Sequence, residues 1–194
     1  MKLKGKSFSM WEVYKNSLTS IVEDSFPIIK ENFTPKLTPG YSGWRLDEQQ
    51  EWDTSMYLPF SKSLFSKKND DAKFTLEFEF YIKKILDEAR KIGLDFVNKK
   101  NSNIRDMFES DIFITKYINS EGVKEHVDGT FLSILIGLNS DFNGGDLKIL
   151  DKNGEHFIRY ETGDIVIMDG KVKHMGTKVT SGERWIMAIF YQLV

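Results

Sequence analysis

The second half of the chain alternates short apolar runs with turn-forming residues, and this pattern predicts β-structure. From Asp111 onward the runs are rich in Ile, Val, Phe and Thr. They are separated by turn clusters at residues 119–122, 143–146, 151–154, 161–164 and 181–183. Short strands at this pitch are typical of an all-β sandwich or barrel. We therefore expect a double-sheet β core in this half of the chain.

The first half contains two helical patterns. Residues 73–98 carry apolar side chains spaced by threes and fours, which predicts an amphipathic helix with a solvated charged face: Phe74, Phe78, Ile82, Ile85, Ala89, Ile92 and Phe96. Near the start of the chain, the pattern of residues 8–18 indicates a short strand.

A second helix is expected after this strand. Thr19 or Ser20 is its expected N-cap, with Glu23 placed to close a capping box. The apolar face of that helix would contain Ile21, Val22, Phe26 and Ile29, although Pro27 interrupts the pattern.

Between these helical patterns, residues 34–72 lack periodicity and combine Pro and Gly with several aromatic side chains. Long irregular segments in compact domains are usually lids or binding loops, and embedded aromatics argue against plain disorder. Trp44, Arg45 and Trp52 are therefore candidate substrate-binding residues. Packing of the loop against the core explains them equally well.

Composition narrows the class of protein. The 194 residues fit one domain, with helical support over about 1–109 and the β core over about 110–194. The net charge of -2 leaves no global electrostatic footprint for nucleic acid, although a local basic groove stays open as an alternative. The absence of cysteine excludes a disulfide scaffold and a thiolate metal site. We find no signal peptide and no apolar run of membrane-spanning length, so we expect a soluble cytoplasmic protein without a membrane partner.

Two of the three histidines stand where a metal site could form. His126 and Asp128 are two residues apart, so at a strand end both side chains project to one face. His174 follows another strand-like run, at 164–168. Two imidazoles and one carboxylate leave open coordination positions, as in iron(II) oxygenases. His156 is the rival ligand, but it falls in a hairpin strand that suggests a structural or surface role.

Arg184 stands ten residues after His174, at the start of the last predicted strand. A dicarboxylic keto acid that binds iron through two oxygens leaves a distal carboxylate to be held. The planar guanidinium suits that task, because it meets a carboxylate in a bidentate way and stays charged when buried. A surface salt bridge is the alternative, but apolar residues 185–187 indicate a buried strand.

At this point the chain resembles the 2-oxoglutarate- and iron-dependent dioxygenases, most closely their prolyl 4-hydroxylase-like branch. The resemblance covers roughly residues 110–194. It rests on an ordered set: Tyr117, His-Val-Asp at 126–128, Leu-Asn at 138–139, Gly-Gly-Asp-Leu at 144–147, Gly-Asp-Ile-Val-Ile at 163–167, His-Met-Gly-Thr-Lys-Val at 174–179 and Gly-Glu-Arg at 182–184. It implies a double-stranded β-helix (jelly-roll) core in a mostly β, α+β fold, with N-terminal helices on one face.

The resemblance also implies roles for individual residues. His126, Asp128 and His174 match the iron ligands, Arg184 matches the residue that holds the distal carboxylate of 2-oxoglutarate, and Tyr117 matches a tyrosine of the co-substrate pocket. From the residues alone, Tyr117 fits a pocket wall or the core equally well. Some members place a further tyrosine just before the Leu-Asn pair. Gly137 stands there in this chain, which implies a roomier pocket or a water.

The implied activity is hydroxylation of an unactivated C–H bond with Fe(II), 2-oxoglutarate and O2, with ascorbate as reductant and release of succinate and CO2. The substrate expected first is a peptidyl proline, because nucleic-acid-demethylating relatives would show a second arginine soon after the first, and none follows Arg184. A free amino acid or other small metabolite is the alternative. A non-catalytic, cupin-like metal-binding module is the alternative from another class.

Overall fold

The computed structural model describes residues 11–33, 55–58, 74–99, 104, 106–118 and 121–194. The described helices are α1 (Thr19–Glu31) and α2 (Leu76–Asn98). The described strands, in chain order, are β1 (Trp11–Tyr14), β2 (Ser55–Tyr57), β3 (Met107–Tyr117), β4 (Val123–His126), β5 (Leu132–Gly137), β6 (Asn143–Gly144), β7 (Leu147–Asp151), β8 (Gly154–Ile158), β9 (Ile165–Asp169), β10 (Lys173–Gly176), β11 (Val179–Ser181) and β12 (Arg184–Leu193).

The strands form two main sheets with antiparallel pairing. The larger has the order β1-β9-β5-β12-β3-β2, the smaller has the order β4-β10-β7-β8, and β11 pairs with β6. Apart from the β7–β8 hairpin and the β2–β3 pair, neighbouring strands are not consecutive in sequence, so the chain crosses repeatedly between the sheets. This jelly-roll core agrees with the double-sheet β core that the sequence pattern predicts and with the fold that the resemblance implies.

The central strands are buried on both faces, which explains their unbroken apolar runs. On β5, Ile134 and Ile136 face the cluster that includes the helices, whereas Leu135 between them faces a second cluster inside the jelly roll. The same alternation separates Ile165 from Val166 on β9. A strand turns successive side chains to opposite faces. Helices therefore cover one face of the larger sheet, and the other face lines the interior of the jelly roll.

Helix α2 forms as its periodicity predicts. Its buried residues include Phe78, Ile82, Ile85, Ala89 and Phe96 of the predicted apolar face. Thr75 is the N-cap, and its side chain accepts a hydrogen bond from the backbone N–H of Phe78 at 3.1 Å. The helix thus begins three residues after the predicted start, and Thr75 satisfies one of the free amides of its first turn. Neither described helix has the length and apolar content that crossing a bilayer would require.

The predicted capping box of α1 is wrong. The N-cap position is Leu18, which makes no side-chain capping bond, and Thr19 is the first helical residue. The Thr19 hydroxyl donates instead to the carbonyl of Thr162 at 2.9 Å, and Leu18 N–H donates to Gly163 O at 3.0 Å. Tertiary hydrogen bonds to the turn before β9 therefore replace the local cap. The helix continues through Pro27 to Glu31, and Ile21 and Phe26 are partly buried against the apolar core.

Part of the segment expected to be irregular is a strand. Residues 55–57 form β2, which pairs antiparallel with β3 at the edge of the larger sheet. Met56 and Leu58 are fully buried there. Trp44, Arg45 and Trp52 lie outside the described residues.

Gly163 lies in the turn before β9, where the backbone of α1 leaves no room for a side chain. We therefore expect that substituting Gly163 lowers the stability of the protein strongly. Gly163 has φ +80°, and a Cβ at this position would lie 2.2 Å from Thr19 N. Left-handed geometry costs an L-residue about 1–2 kcal/mol, and overpacking typically adds about 1–3 kcal/mol. We expect Gly163→Ala to lower the free energy of unfolding by about 3 kcal/mol or more, as measured by urea denaturation.

Gly129→Ala is the matched control for that substitution. Gly129 has a similar φ of +69°, but a Cβ there would meet no atom within 4 Å. It should therefore show the conformational cost alone, about 1–2 kcal/mol. Equal losses in the two variants would contradict the proposed backbone clash.

Candidate active site

Three side chains that the sequence singles out lie together on one side of a cavity in the jelly roll. His126 ends β4 and His174 lies on β10, and the two residues are direct cross-strand partners. Their ring centroids are 4.3 Å apart. Asp128 follows β4, and one ligand-type atom from each of the three residues lies within 4.8 Å of the others. The two-residue spacing turns Asp128 to the same side as His126, as expected for a strand end.

Backbone carbonyls orient both imidazoles. His126 Nδ1 lies 2.7 Å from Lys124 O, and His174 Nδ1 lies 2.9 Å from Val172 O. A carbonyl can only accept, so each Nδ1 is the protonated nitrogen and each neutral ring keeps a lone pair on Nε2. Metal-binding histidines almost always have their second nitrogen held in this way.

The unprotonated nitrogens face the carboxylate. Asp128 Oδ1 lies 3.3 Å from His126 Nε2 and 3.6 Å from His174 Nε2. Asp128 Oδ2 is buried and has no hydrogen-bond partner among the described residues. In the neutral rings with the proton on Nδ1, the two Nε2 lone pairs and Asp128 Oδ1 face one another, so a cation between them, or a proton in the metal-free protein, offsets their repulsion. The donor set therefore fits a divalent transition metal, with two imidazoles and one carboxylate on one side of the ion.

The protonation states agree with this geometry. Burial lowers the pKa of the His174 imidazole below its ordinary value, even though the Asp128 carboxylate acts in the opposite direction. Burial alone would raise the pKa of the Asp128 carboxyl, but a hydrogen bond from His126, positive charge on His174 in the metal-free protein and a hydrogen bond from Ser133 hold it below its usual range. At neutral pH the cluster thus offers a neutral imidazole at His174 and an ionised carboxylate, the forms that bind metal.

The cluster opens into a cavity of about 110 Å³ inside the jelly roll. Its wall is largely apolar, with Leu147, Ile186 and Phe190 among the lining side chains. Away from the triad, the polar residues of the wall are Thr115, Tyr117, Tyr160 and Arg184. The cavity therefore has room for a small organic acid, and its apolar wall excludes much of the solvent.

Arg184 is the first residue of β12, and its guanidinium is held on several sides. The side chain is 2% exposed, and Nη1 donates to Gly145 O at 2.5 Å. The guanidinium carbon lies 4.2 Å from the centre of the Tyr117 ring, and Tyr117 is the cross-strand partner of Arg184 on β3. Arg184 Nε is buried without a hydrogen-bond partner among the described residues. A buried cation with an unsatisfied donor is suited to an anionic ligand.

Two glycines make room for the Arg184 side chain. A Cβ on Gly176 would lie 2.9 Å from Arg184 Nη2, and a Cβ on Gly145 would lie 3.1 Å from Arg184 Cδ. Gly145 also has φ +68°, which glycine adopts without strain. Sequence reasoning interpreted Gly144-Gly145 as turn chemistry alone. The structure shows that Gly145 also contacts the arginine through its carbonyl.

Asn139 fixes the backbone on both sides of Arg184. Its side-chain oxygen accepts from Trp185 N–H at 2.8 Å, and its amide donates to Glu183 O at 2.7 Å. Asn139 is itself buried. The Leu-Asn pair of the sequence motif therefore positions the start of β12, a role that spacing alone does not reveal.

The Tyr160 side chain packs directly against Gly137. A Cβ on Gly137 would lie 3.2 Å from Tyr160 Cβ and Cδ1, so the Tyr160 side chain occupies the space beside Gly137. Tyr160 lies in the connection between β8 and β9 and also lines the cavity. Sequence reasoning missed this residue, because no local pattern links positions 137 and 160.

His156 lies apart from the triad. Its Nε2 is 3.0 Å from Asp151 Oδ1, and its ring lies 5.0 Å from the ring of Trp11. Asp151 Oδ2 accepts from the Trp11 indole at 3.1 Å. This arrangement joins β1 to the β7–β8 hairpin, which agrees with the structural role suggested for His156.

Comparisons with known proteins point to one family. The sequence model of the 2OG-Fe(II) oxygenase superfamily matches residues 112–192. A PKHD-type hydroxylase from Psychrobacter sp. (strain PRwf-1) is 40% identical over 65 residues, which are 32% of this chain and 25% of that protein. The chain therefore spans about a quarter of the length of this curated relative.

Solved structures share the fold over nearly the whole chain. A prolyl-4-hydroxylase from Pseudomonas putida has a TM-score of 0.65 at 15% identity, covering 95% of this chain and 92% of that one. A prolyl hydroxylase from Trichoplax adhaerens, in complex with a hypoxia inducible factor peptide fragment, has a TM-score of 0.63 at 13% identity, covering 94% and 83%. At these identities the likeness concerns the fold. The sequence match and the jelly roll agree: residues 112–192 of this chain match the 2OG-Fe(II) oxygenase superfamily, and the fold is similar to that of the solved prolyl hydroxylases.

Proposed function

We propose that this protein is a 2-oxoglutarate- and Fe(II)-dependent dioxygenase that hydroxylates an unactivated C–H bond. The observation that carries the proposal is the pairing of two features in one cavity. His126, Asp128 and His174 present metal-binding atoms to one another, and Arg184 presents a buried guanidinium. The first feature suits a metal ion, and the second suits a carboxylate of the molecule that shares the cavity with it.

The donor set favours iron(II) with open coordination positions. His126, Asp128 and His174 would hold the ion and would leave positions open for a chelating co-substrate and dioxygen. Carbonyls at Lys124 and Val172 hold the rings in the tautomer that binds metal. The buried Asp128 carboxylate supplies the negative charge that offsets part of the ion's charge.

Arg184 is the residue that supports 2-oxoglutarate as the co-substrate. When 2-oxoglutarate chelates a metal through its keto acid end, its distal carboxylate remains free. A buried guanidinium with an unsatisfied Nε offers that group charge-assisted hydrogen bonds in a medium with little water. The Tyr117 ring and Gly145 O hold the guanidinium in place before the ligand arrives.

The chemistry expected of bound Fe(II) is the activation of dioxygen, with 2-oxoglutarate as the two-electron reductant. One oxygen atom enters the substrate C–H bond as hydroxyl, and the other enters succinate as 2-oxoglutarate loses CO2. The protein side chains hold the co-substrate, orient it and exclude water from the apolar cavity.

The substrate that we propose first is a peptidyl proline. The Trichoplax relative of the same fold is a prolyl hydroxylase solved with a peptide fragment. The chain also lacks a second arginine after Arg184, which demethylating relatives would be expected to have. A free amino acid or another small metabolite is a different outcome of the same test.

The test is turnover of the purified protein with Fe(II), 2-oxoglutarate, O2 and ascorbate, the last to keep the iron reduced. We expect succinate to form, and to form faster with a proline-containing peptide library than with a pool of amino acids and small metabolites. Mass spectrometry should find +16 Da on the peptide. Product in the metabolite pool alone would overturn the peptide proposal, and intact metal binding without succinate in either pool would indicate a non-catalytic module.

A further inference from the structure

We propose that the Tyr160 hydroxyl is a second anchor for the distal carboxylate of 2-oxoglutarate, acting beside Arg184. This inference rests on the proposed function, because it assumes that a dicarboxylic keto acid occupies the cavity. It assigns a binding role to a residue outside the motif by which the sequence resembles its family.

The first observation is a buried hydroxyl without a partner. Tyr160 is 1% exposed, and its hydroxyl has no hydrogen-bond partner among the described residues. Buried tyrosine hydroxyls are normally hydrogen-bonded, because burial removes their contacts with water. Tyr160 also lines the cavity that contains the metal-binding cluster and Arg184. A ligand atom inside that cavity is the partner that this hydroxyl can reach.

The second observation is the fit between Tyr160 and Gly137. A Cβ on Gly137 would lie 2.7 Å from Glu161 O and 3.2 Å from Tyr160 Cβ and Cδ1. Any larger residue at position 137 would therefore displace Tyr160. Backbone hydrogen bonds also join the end of β5 to the segment between Tyr160 and β9. Gly137 N–H donates to Asp164 O at 3.0 Å, and Gly163 N–H donates to Gly137 O at 2.9 Å. Gly137 on β5 thus leaves room for Tyr160, from the connection between β8 and β9, to line the cavity.

The third observation concerns the charge near the hydroxyl. Burial raises the pKa of Tyr160 well above its ordinary value, and the positive charge of Arg184 acts in the opposite direction without overcoming it. Arg184, Tyr117 and Asp128 are all close enough to influence the phenol. The hydroxyl is therefore protonated at neutral pH and can donate to an anion that Arg184 attracts.

A purely structural role makes different predictions. Tyr160 belongs to the apolar cluster inside the jelly roll, together with Leu135 and Ala188. If it served only to fill space, its ring would matter and its hydroxyl would not. Tyr160→Phe keeps the ring and removes the oxygen, so it isolates the proposed hydrogen bond.

The experiment measures binding to the protein loaded with Mn(II), without dioxygen, by isothermal titration calorimetry. The probes are 2-oxoglutarate and 2-oxobutyrate, which share the chelating keto acid but differ in the distal carboxylate. We expect Tyr160→Phe to weaken 2-oxoglutarate binding by about 10- to 100-fold, the range for a hydrogen bond to a charged group, and to leave 2-oxobutyrate unchanged. Tyr191→Phe removes a hydroxyl from a buried tyrosine outside this cavity and should change neither value.

Thermal unfolding of the metal-free variant provides a second readout. Because the hydroxyl has no protein partner in the described residues, its loss should leave the melting temperature of Tyr160→Phe equal to or above that of wild type. The increase in melting temperature caused by 2-oxoglutarate in the metal-loaded protein should be smaller than in wild type. A lower melting temperature without ligand, with unchanged affinity for 2-oxoglutarate, would show a structural role and overturn the proposal.

Arg184→Met distinguishes failure of the Tyr160 proposal from failure of the proposed 2-oxoglutarate-dependent function. If Arg184→Met weakens 2-oxoglutarate binding and Tyr160→Phe does not, the tyrosine proposal fails while the proposed function stands. If neither substitution changes the affinity for 2-oxoglutarate, both fail. Equal weakening of 2-oxoglutarate and 2-oxobutyrate in Tyr160→Phe would indicate a change in cavity shape and would also overturn the role as a carboxylate anchor.

Discussion

Replacing His174 with alanine is expected to abolish iron binding and, with it, all turnover. His174 is buried, its Nδ1 is held by Val172 O, and its Nε2 faces Asp128 Oδ1. Loss of a partner outside the coordination shell already costs about 10- to 100-fold in metal affinity, so loss of a ligand should exceed about 100-fold. The measurement is anaerobic titration of the apo-protein with Fe(II), with metal content after gel filtration as a second readout.

His156→Ala is the matched control for that experiment. This substitution removes the third histidine of the chain, which is outside the proposed ligand set. The His156 ring contacts Asp151 and Trp11 instead. Metal affinity should stay at the wild-type value. Undiminished Fe(II) binding by His174→Ala, or an equal loss in both variants, would refute the assignment of His174 as a ligand.

Replacing Arg184 with methionine should separate co-substrate binding from metal binding. Removing one partner of a buried ion pair typically costs about 3–5 kcal/mol, so the affinity for 2-oxoglutarate should fall by about 100- to 1,000-fold or more. Fe(II) affinity should stay within a few-fold of wild type, because Arg184 contacts Gly145 and Tyr117 rather than the proposed ligands. Calorimetry with Mn(II)-loaded protein gives the first value, and metal titration gives the second.

The free energy of unfolding of Arg184→Met without ligands adds a check. A buried guanidinium with an unsatisfied Nε is costly to the empty protein, and a methionine of similar length is apolar. The variant should therefore be as stable as wild type or more stable. Arg184→Lys, which keeps the charge and loses the planar fork, should bind 2-oxoglutarate more weakly than wild type and more tightly than Arg184→Met. Simultaneous loss of metal and co-substrate in Arg184→Met would contradict the division of roles.

Where the determining contacts are local, sequence reasoning described the molecule well. The face of α2 follows from its period of 3.6 residues, and five of the seven predicted apolar positions are buried in the helix. The other two, Phe74 and Ile92, are partly buried against the same core. The strands of the second half follow from runs bounded by turns, which agree with the observed jelly roll. The assignment of residues 1–194 to a single domain remains a prediction, as does the role of Trp44, Arg45 and Trp52.

Where a contact joins distant residues, sequence reasoning failed or was silent. The capping box of α1 satisfied every local rule, but Thr19 uses its hydroxyl on Thr162 instead. The strand β2 has no periodic signal of its own and forms by pairing with β3. Because pairing with β3 stabilises the short edge strand β2, the β-propensities of residues 55–57 alone do not predict it.

The sequence by itself determined which chemical groups are available and in what order. His126, Asp128, His174 and Arg184 are recognisable from residue type and spacing, because strand geometry places residues two apart on one face. Only the tertiary structure decided what surrounds them. Antiparallel pairing brings His174 opposite His126 and Arg184 opposite Tyr117, and crossings between the sheets bring Gly145, Gly176 and Tyr160 to the same cavity. The physical reason is that such contacts depend on strand register and packing over long sequence separations, which no local pattern records.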